Sequence, residues 1–111
     1  MRVALSALLV VLAVLQRAEE PVDFLRDVRP ILAENCFVCH GPDDRKGGLR
    51  LDTKAGVLKD LGGYAAVVPG DPEESEMWWR IAKAGAADRM PPHDSGKSLS
   101  TEEVAVLRQW I

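Results

Sequence analysis

The sequence predicts an all-α domain, and three features of its pattern support that class. Apolar residues recur at helical spacing near both ends of the segment that follows residue 20. Two strong capping signals indicate helix starts. No stretch of the sequence shows the sustained alternation typical of strands. Of the 111 residues, 47% are hydrophobic and 28% are charged. Such a composition is typical of a globular chain, and this length allows one domain.

The first predicted helix runs from Asp23 to about Asn35, with Asp23 as its cap. Its apolar positions follow the 3.6-residue spacing and are Phe24, Val28, Ile31, Leu32 and Cys36. Pro30 lacks the N–H that would bond the Arg26 carbonyl, so we expect a kink or a late helix start.

A second, shorter helix is expected in the middle of the chain. Residues 41–48 have the composition of a loop. Asp52 can then cap a helix from Thr53 to about Leu61, which Gly62-Gly63 ends.

The third predicted helix follows residues 65–68, which we expect to be extended. The run Asp71-Pro72-Glu73-Glu74 combines a cap, a proline at the first helical position and a glutamate three residues after the cap. This helix should run to about Ala84.

The last predicted helix follows a loop over residues 85–99 and begins at a capping box formed by Ser100 and Glu103. Its apolar stripe consists of Val104, Leu107, Trp110 and Ile111. The sequence stops within that stripe without a capping glycine or a polar tail. We therefore expect a fragment or an N-terminal module of a longer protein, with a domain over residues 22–111 that is truncated at its C-terminus.

The N-terminus has the pattern of a secretory signal peptide. Arg2 supplies a positive start, residues 3–15 form an uncharged apolar run, and polar residues follow from Gln16. An apolar run of about 13 residues is too short for an ordinary membrane span. We expect residues 1–18 to be a signal peptide and the protein to be exported to the periplasm or cell envelope; the alternative is a retained membrane anchor.

The charge pattern argues against nucleic acid as a partner. Removal of Arg2 and Arg17 with the signal would leave 12 of the 14 basic residues against 17 acidic ones, which takes the net charge from −3 to −5. The sequence has no cluster of basic residues of the kind that binds nucleic acid or anionic membranes.

The residues from Cys36 to His40 form a C-x-x-C-H motif. On a helical turn, positions i, i+3 and i+4 share a face, so two thiols and an imidazole can meet one flat object. The thiols of Cys36 and Cys39 can form thioethers with a porphyrin, and His40 can bind its iron. The motif therefore predicts one covalently attached haem c, which would also fill the centre of a small domain.

Other interpretations of the cysteines are less consistent with the chain. A disulfide between Cys36 and Cys39 would close too small a loop to stabilise the fold. A zinc site needs four ligands, and His93 is the only other histidine. A thioredoxin-like dithiol needs a βαβ context that is missing here. A haem-free thiol protein is the remaining alternative.

A second axial ligand for the iron can come from three residues. A methionine opposite a histidine is the usual pairing for electron transfer. Met90 lies in a loop whose backbone is restrained by Pro91-Pro92, and it is the preferred candidate. Met77 lies within a predicted helix, where packing is its expected role. His93 lies in a polar run that we expect to be solvated.

The sequence has three tryptophans, Trp78, Trp79 and Trp110, and packing is the ordinary role of such side chains. Trp78 or Trp110 should contact the haem or the first helix. Because adjacent residues face different directions on a helix, either Trp78 or Trp79 should lie at the surface.

Several motifs in order resemble the planctomycete-type cytochrome c domain, from about residue 22 to the last residue. They include Arg29-Pro30-Ile31-Leu32, Asn35-Cys36-Phe37-Val38-Cys39-His40-Gly41, Leu49-Arg50-Leu51-Asp52, Val68-Pro69-Gly70-Asp71-Pro72, Trp79-Arg80-Ile81 and Met90-Pro91-Pro92. The resemblance implies a class I-like cytochrome c fold, covalent haem at Cys36 and Cys39, His40 as proximal ligand and Met90 as distal ligand. The family's domain commonly heads longer exported proteins.

The predicted function is single-electron transfer with redox donor and acceptor proteins as partners, not enzymatic catalysis. The alternatives are a haem-containing sensor with an open sixth position, and a binding or anchoring module attached to a larger exported protein.

Overall fold

The computed structural model describes residues 20–111, and its regular elements are all helical. The helices are α1 (Arg29–Asn35), α2 (Lys54–Val57), α3 (Glu76–Trp78) and α4 (Thr101–Trp110). Two π-helical segments adjoin them, Phe24–Val28 before α1 and Trp79–Lys83 after α3, and 3-10 turns lie at Lys46–Gly48 and His93–Ser95. The described part of the chain has no strand, only an isolated bridge between His40 and Arg45. This architecture agrees with the predicted all-α class.

The N-terminal helical region confirms the predicted cap and the effect of the proline. The Asp23 carboxylate accepts the Arg26 N–H at 2.8 Å. The α-helical part then starts late, at Arg29, so that Pro30 occupies the first turn. N–H groups of the first turn have no acceptor within the helix, so the absence of one at Pro30 costs no hydrogen bond.

The predicted start of α2 is wrong by one residue, and its predicted end is several residues too late. Thr53 is the cap and accepts the Gly56 N–H at 3.1 Å. Asp52 cannot cap because its carboxylate pairs with the Arg50 guanidinium, at 2.8 Å between Oδ2 and Nη2. The helix ends at Val57, before the turn in which Asp60 accepts N–H bonds from the following glycines.

The predicted start of the third helix is also wrong. Asp71 accepts the Glu74 N–H at 3.2 Å, but the chain forms only a turn there, and α3 begins at Glu76. The reason lies in the buried Ser75, which is 1% exposed. Its hydroxyl donates to the Asp71 carbonyl and accepts the Val68 N–H, both at 2.8 Å, which turns the chain before the helix starts.

Residues 65–68, which were expected to be extended, are not part of a strand. They cap the N-terminus of α3. The carbonyls of Ala65 and Ala66 accept the N–H groups of Glu76 and Met77 at 3.0 and 2.9 Å. These N–H groups belong to the first helical turn and have no partner within the helix. The segment is therefore paired with a helix terminus rather than with another strand.

The core lies where the helical region Phe24–Asn35 meets α4, beside the chain between them. Ten hydrophobic residues of the described part of the chain are buried: Val28, Ile31, Leu32, Leu51, Val57, Ala66, Val67, Met77, Leu107 and Ile111. The C-terminal helix begins at the predicted capping box and packs against the segment before α1, with the rings of Phe24 and Trp110 5.6 Å apart.

The segment that was predicted to be a signal peptide lies outside the described residues. Among residues 20–111, none of the helices has the length and apolar character needed to cross a bilayer.

Candidate functional site

The motif from Cys36 to His40 forms a turn that continues from α1. The N–H groups of Cys39 and His40 both donate to the Cys36 carbonyl, at 3.2 and 2.8 Å. This compact turn places Cys36, Cys39 and His40 on the wall of one cavity, as their spacing predicted.

The two cysteines are free thiols and do not form a disulfide. Burial raises the pKa of the Cys36 thiol to about 11, with a smaller contribution from Cys39, so this group stays protonated at neutral pH. Within residues 20–111 no group of three or more His, Cys, Asp or Glu side chains could hold a metal ion. The described structure therefore lacks the ligand set that the zinc alternative requires.

His40 is held by the chain that follows the motif. Its Nδ1 lies 3.3 Å from the Leu49 carbonyl oxygen, and its own carbonyl accepts the Leu51 N–H at 2.8 Å. When Nδ1 carries the proton it donates to Leu49, and Nε2 keeps a free lone pair. This arrangement prepares the imidazole to bind a metal through Nε2.

The loop after His40 folds back on the motif through backbone hydrogen bonds. The Gly41 N–H donates to the Asp44 carbonyl at 2.8 Å, and the Lys46 N–H donates to the Cys39 carbonyl at 2.9 Å. Gly41 is buried against the motif, where a Cβ would lie 2.2 Å from the Phe37 carbonyl oxygen. Only glycine fits this close approach of two backbone segments.

The cavity beside the motif has a volume of about 430 Å³, within the range of cofactor pockets. Much of its wall is aliphatic and consists of Leu32, Leu49, Leu51, Leu61, Ala66, Ile81 and Leu107. Val38 and Tyr64 also line it and are 70% and 49% exposed, so they mark its mouth. A separate surface groove of about 370 Å³, lined by Arg45, Arg50 and Lys59 among others, contains none of the predicted site residues.

Of the three candidates for the second axial ligand, Met77 and Met90 line the cavity and His93 does not. Met90 lines the cavity, and its N–H donates to the Arg80 carbonyl at 3.1 Å. Met77 is 8% exposed and also lines the cavity, so it contributes to the wall as well as to the core. His93 is exposed, lies outside the cavity wall and has its Nδ1 3.4 Å from Arg89.

A polar pair on the cavity wall was not singled out from the sequence. Glu76 and Arg80 both line the cavity, and the Arg80 Nε donates to the Glu76 carboxylate at 3.0 Å. Their spacing of four residues on a helix is a signal for such an ion pair. Nothing in that spacing indicates which way the pair faces.

The tryptophans lie around the cavity rather than on its wall. Trp79 is 39% exposed, which confirms that one of the adjacent pair lies at the surface. Trp110 packs against Phe24 in the first helical region, as predicted. Trp78 is half-buried beneath the Arg108 guanidinium, 4.5 Å from the ring centre, and its buried Nε1 has no hydrogen-bond partner among the described residues.

A family model described as Planctomycete cytochrome C matches residues 36–94, which is more than half of the chain. The chain belongs to the planctomycete cytochrome c family. This result confirms the resemblance, and the matched segment of this cytochrome c contains the Cys36–His40 motif, Met77 and Met90. Comparison with curated proteins and with solved structures gave no match.

As a cytochrome c, the domain is a haem-binding electron-transfer domain, and its family implies haem c as the cofactor. The residues present fit this group. Two free cysteines and a histidine line the same largely aliphatic cavity, and two methionines, Met77 and Met90, line it as well. Such a donor set suits the vinyl groups and the iron of a haem, whereas the aliphatic wall suits the porphyrin.

Proposed function

We propose that this cytochrome c is an exported electron-transfer protein with one haem c, bound through Cys36 and Cys39, with His40 and Met90 as axial ligands. The observation that carries the proposal is that all four residues line the same aliphatic cavity. Export is proposed from the signal-like pattern of residues 1–18. Redox donor and acceptor proteins are the proposed partners, and the proposed role is electron transfer rather than catalysis.

The cysteines supply the covalent attachment. Each thiol would add across one vinyl group of the porphyrin. Its sulfur would bond one vinyl carbon and its hydrogen would go to the other, so that an S–H bond and a C=C π bond are replaced by a C–S and a C–H bond. The short turn from Cys36 to Cys39 keeps both cysteines in the lining of the same cavity.

The two axial residues are positioned by different means. The Leu49 carbonyl orients the His40 ring, which directs Nε2 away from that hydrogen bond. Met90 is held in a loop by its backbone N–H and by the buried Pro91 that follows it.

The bound haem supplies a one-electron couple, and the protein adjusts its reduction potential. The aliphatic side chains exclude water and lower the local dielectric around the site. A thioether opposite an imidazole favours a higher potential than two imidazoles do. The alternative of a sensor or anchoring module would have an open or differently occupied sixth position, and the position of Met90 on the wall favours electron transfer.

Intact mass tests the covalent attachment. We expect protein secreted from a cell that matures c-type cytochromes to exceed the mass of its polypeptide by one haem, and Cys36→Ser with Cys39→Ser to abolish the gain. A wild-type mass equal to that of the bare polypeptide would refute the proposal.

Absorption spectra of the ferric protein test the distal ligand, because a thioether bound to ferric haem gives a charge-transfer band. Met90→Ala should lose this band, whereas Met77→Ala, a matched change on the same cavity, should keep it. Loss of the band in Met77→Ala alone would assign the ligand to Met77 instead.

A further inference from the structure

We propose that Arg80 is the residue that positions Met90, an inference that rests on the proposed axial role of Met90. Arg80 contacts the loop that carries this methionine at two points. Its Nη1 donates to the Asp88 carbonyl at 3.1 Å, and its backbone carbonyl accepts the Met90 N–H at 3.1 Å. The side chain and the backbone of one residue therefore hold the loop on both sides of Arg89.

The guanidinium of Arg80 is itself oriented by Glu76. The Arg80 Nε donates to Glu76 Oε1 at 3.0 Å, one helical turn earlier. Because a guanidinium is planar, fixing Nε also fixes the direction in which Nη1 points. The ion pair is about one-third exposed, and the Trp79 ring lies 5.3 Å from the Arg80 Cζ. Glu76 and Trp79 therefore limit the orientations open to the Arg80 guanidinium.

The loop has few other hydrogen bonds to hold it. Within the described structure, the N–H groups of Asp88 and Arg89 both donate to Gly85, inside the loop, and the Arg89 side chain contacts only the next turn at His93. Residues 85–89 are exposed. The hydrogen bonds that connect this loop to the preceding helical segment are therefore those of Arg80.

An axial ligand on a loop depends on such support. Groups that hold a metal ligand in place raise the affinity of the metal for it, and without them the ligand spends more time detached. A small external ligand can then bind the iron more easily. Arg80 thus controls how firmly Met90 occupies the sixth position, although it does not bind the iron.

The test measures the binding of imidazole to the ferric, haem-loaded protein. Arg80→Gln keeps the backbone contact but removes the charged donor to Asp88. Because a hydrogen bond from a charged group is lost, we expect the imidazole affinity to rise by about tenfold and the thioether band to weaken. Asp88→Ala removes only the longer contact of Arg80 Nη1 with Asp88 Oδ1, at 3.8 Å, and keeps the backbone acceptor at 3.1 Å, so it should leave both unchanged.

Arg108→Gln is the matched control, because it removes a guanidinium that also packs on a tryptophan but has no contact with the Met90 loop. If Arg80 only stabilises the fold, Arg80→Gln should lower the melting temperature, as Arg108→Gln should, and leave the imidazole affinity unchanged. Equal imidazole affinities for Arg80→Gln and Arg108→Gln would overturn the inference.

Arg80→Lys covers the case in which Arg80→Gln does not fold. An ammonium keeps the charge but cannot donate from both the Nε and the Nη1 positions, so the imidazole affinity should still rise several-fold. An unchanged affinity would overturn the inference in the same way. If the wild type contains haem but lacks the thioether band, the axial role of Met90 fails instead, and the two failures are thereby distinguished.

Discussion

Single residues in the Cys36–His40 turn have little freedom to change, because the backbone is close-packed around it. Leu49 and Leu51 hold His40 through its ring and its carbonyl. Gly41 follows directly and lies against the carbonyl of Phe37. The position of the imidazole thus depends on the loop after His40, and that loop can fold back on the turn only because Gly41 has no side chain.

Gly41→Ala is expected to destabilise the haem-loaded protein by about 1–3 kcal/mol, because the added methyl would overlap a backbone oxygen that cannot rotate away. Urea unfolding measures the loss. Gly85→Ala is the control, since a Cβ there meets no atom within 4 Å. Equal stability of the two variants would show that the turn adapts more easily than its packing indicates.

At the scale of elements, α4 closes the core, and its N-terminus is the best-capped helix start in the described structure. The Ser100 hydroxyl accepts the Glu103 N–H at 3.1 Å, and the Glu103 carboxylate accepts the Ser100 N–H at 3.0 Å. The other end is tied to the middle of the chain, where the Gly70 N–H donates to the Ile111 carbonyl at 2.8 Å. Between them, Leu107 is buried and also lines the cavity.

Ser100→Ala should lower the free energy of unfolding by about 1 kcal/mol, because one N–H of the first turn loses its acceptor. The same urea experiment measures this loss. Ser98→Ala, two residues earlier at an exposed position, is the control and should be neutral. A neutral Ser100→Ala would mean that water replaces the cap without cost.

For the whole molecule, the cavity is the dominant energetic feature. At about 24 cal/mol per Å³, a dry cavity of about 430 Å³ would cost on the order of 10 kcal/mol, as much as the stability of a typical domain. The opening at Val38 and Tyr64 makes this figure an upper bound, because water can enter.

We therefore expect protein without haem, such as the Cys36→Ser and Cys39→Ser variant, to be largely unfolded. Circular dichroism during urea titration measures this, with the haem-loaded wild type as the control. A cooperative transition close to that of the wild type would contradict the expectation that the cofactor completes the core.

Local patterns were sufficient for several features of this protein. The cap at Asp23, the late helix start around Pro30, the capping box at Ser100 and the turn of the C-x-x-C-H motif all depend on residues within four positions of one another. Short-range hydrogen bonds and proline geometry decide such features before any distant contact forms. The same local signal was enough to place three residues of the site.

Two kinds of feature were decided only by the tertiary structure. One is the helix start where the sequence allows more than one, and the other is which side chains face the cavity. Asp52 and Asp71 are good caps by sequence, but an ion pair with Arg50 and the buried hydroxyl of Ser75 moved both helix starts. That Met77 and Met90 both line the cavity while His93 does not, and that Glu76 and Arg80 face it, depends on how distant segments pack. The sequence by itself determined the Cys36–His40 turn, because its contacts are local. The tertiary structure decided the remaining cavity wall, because it is assembled from segments far apart in the chain.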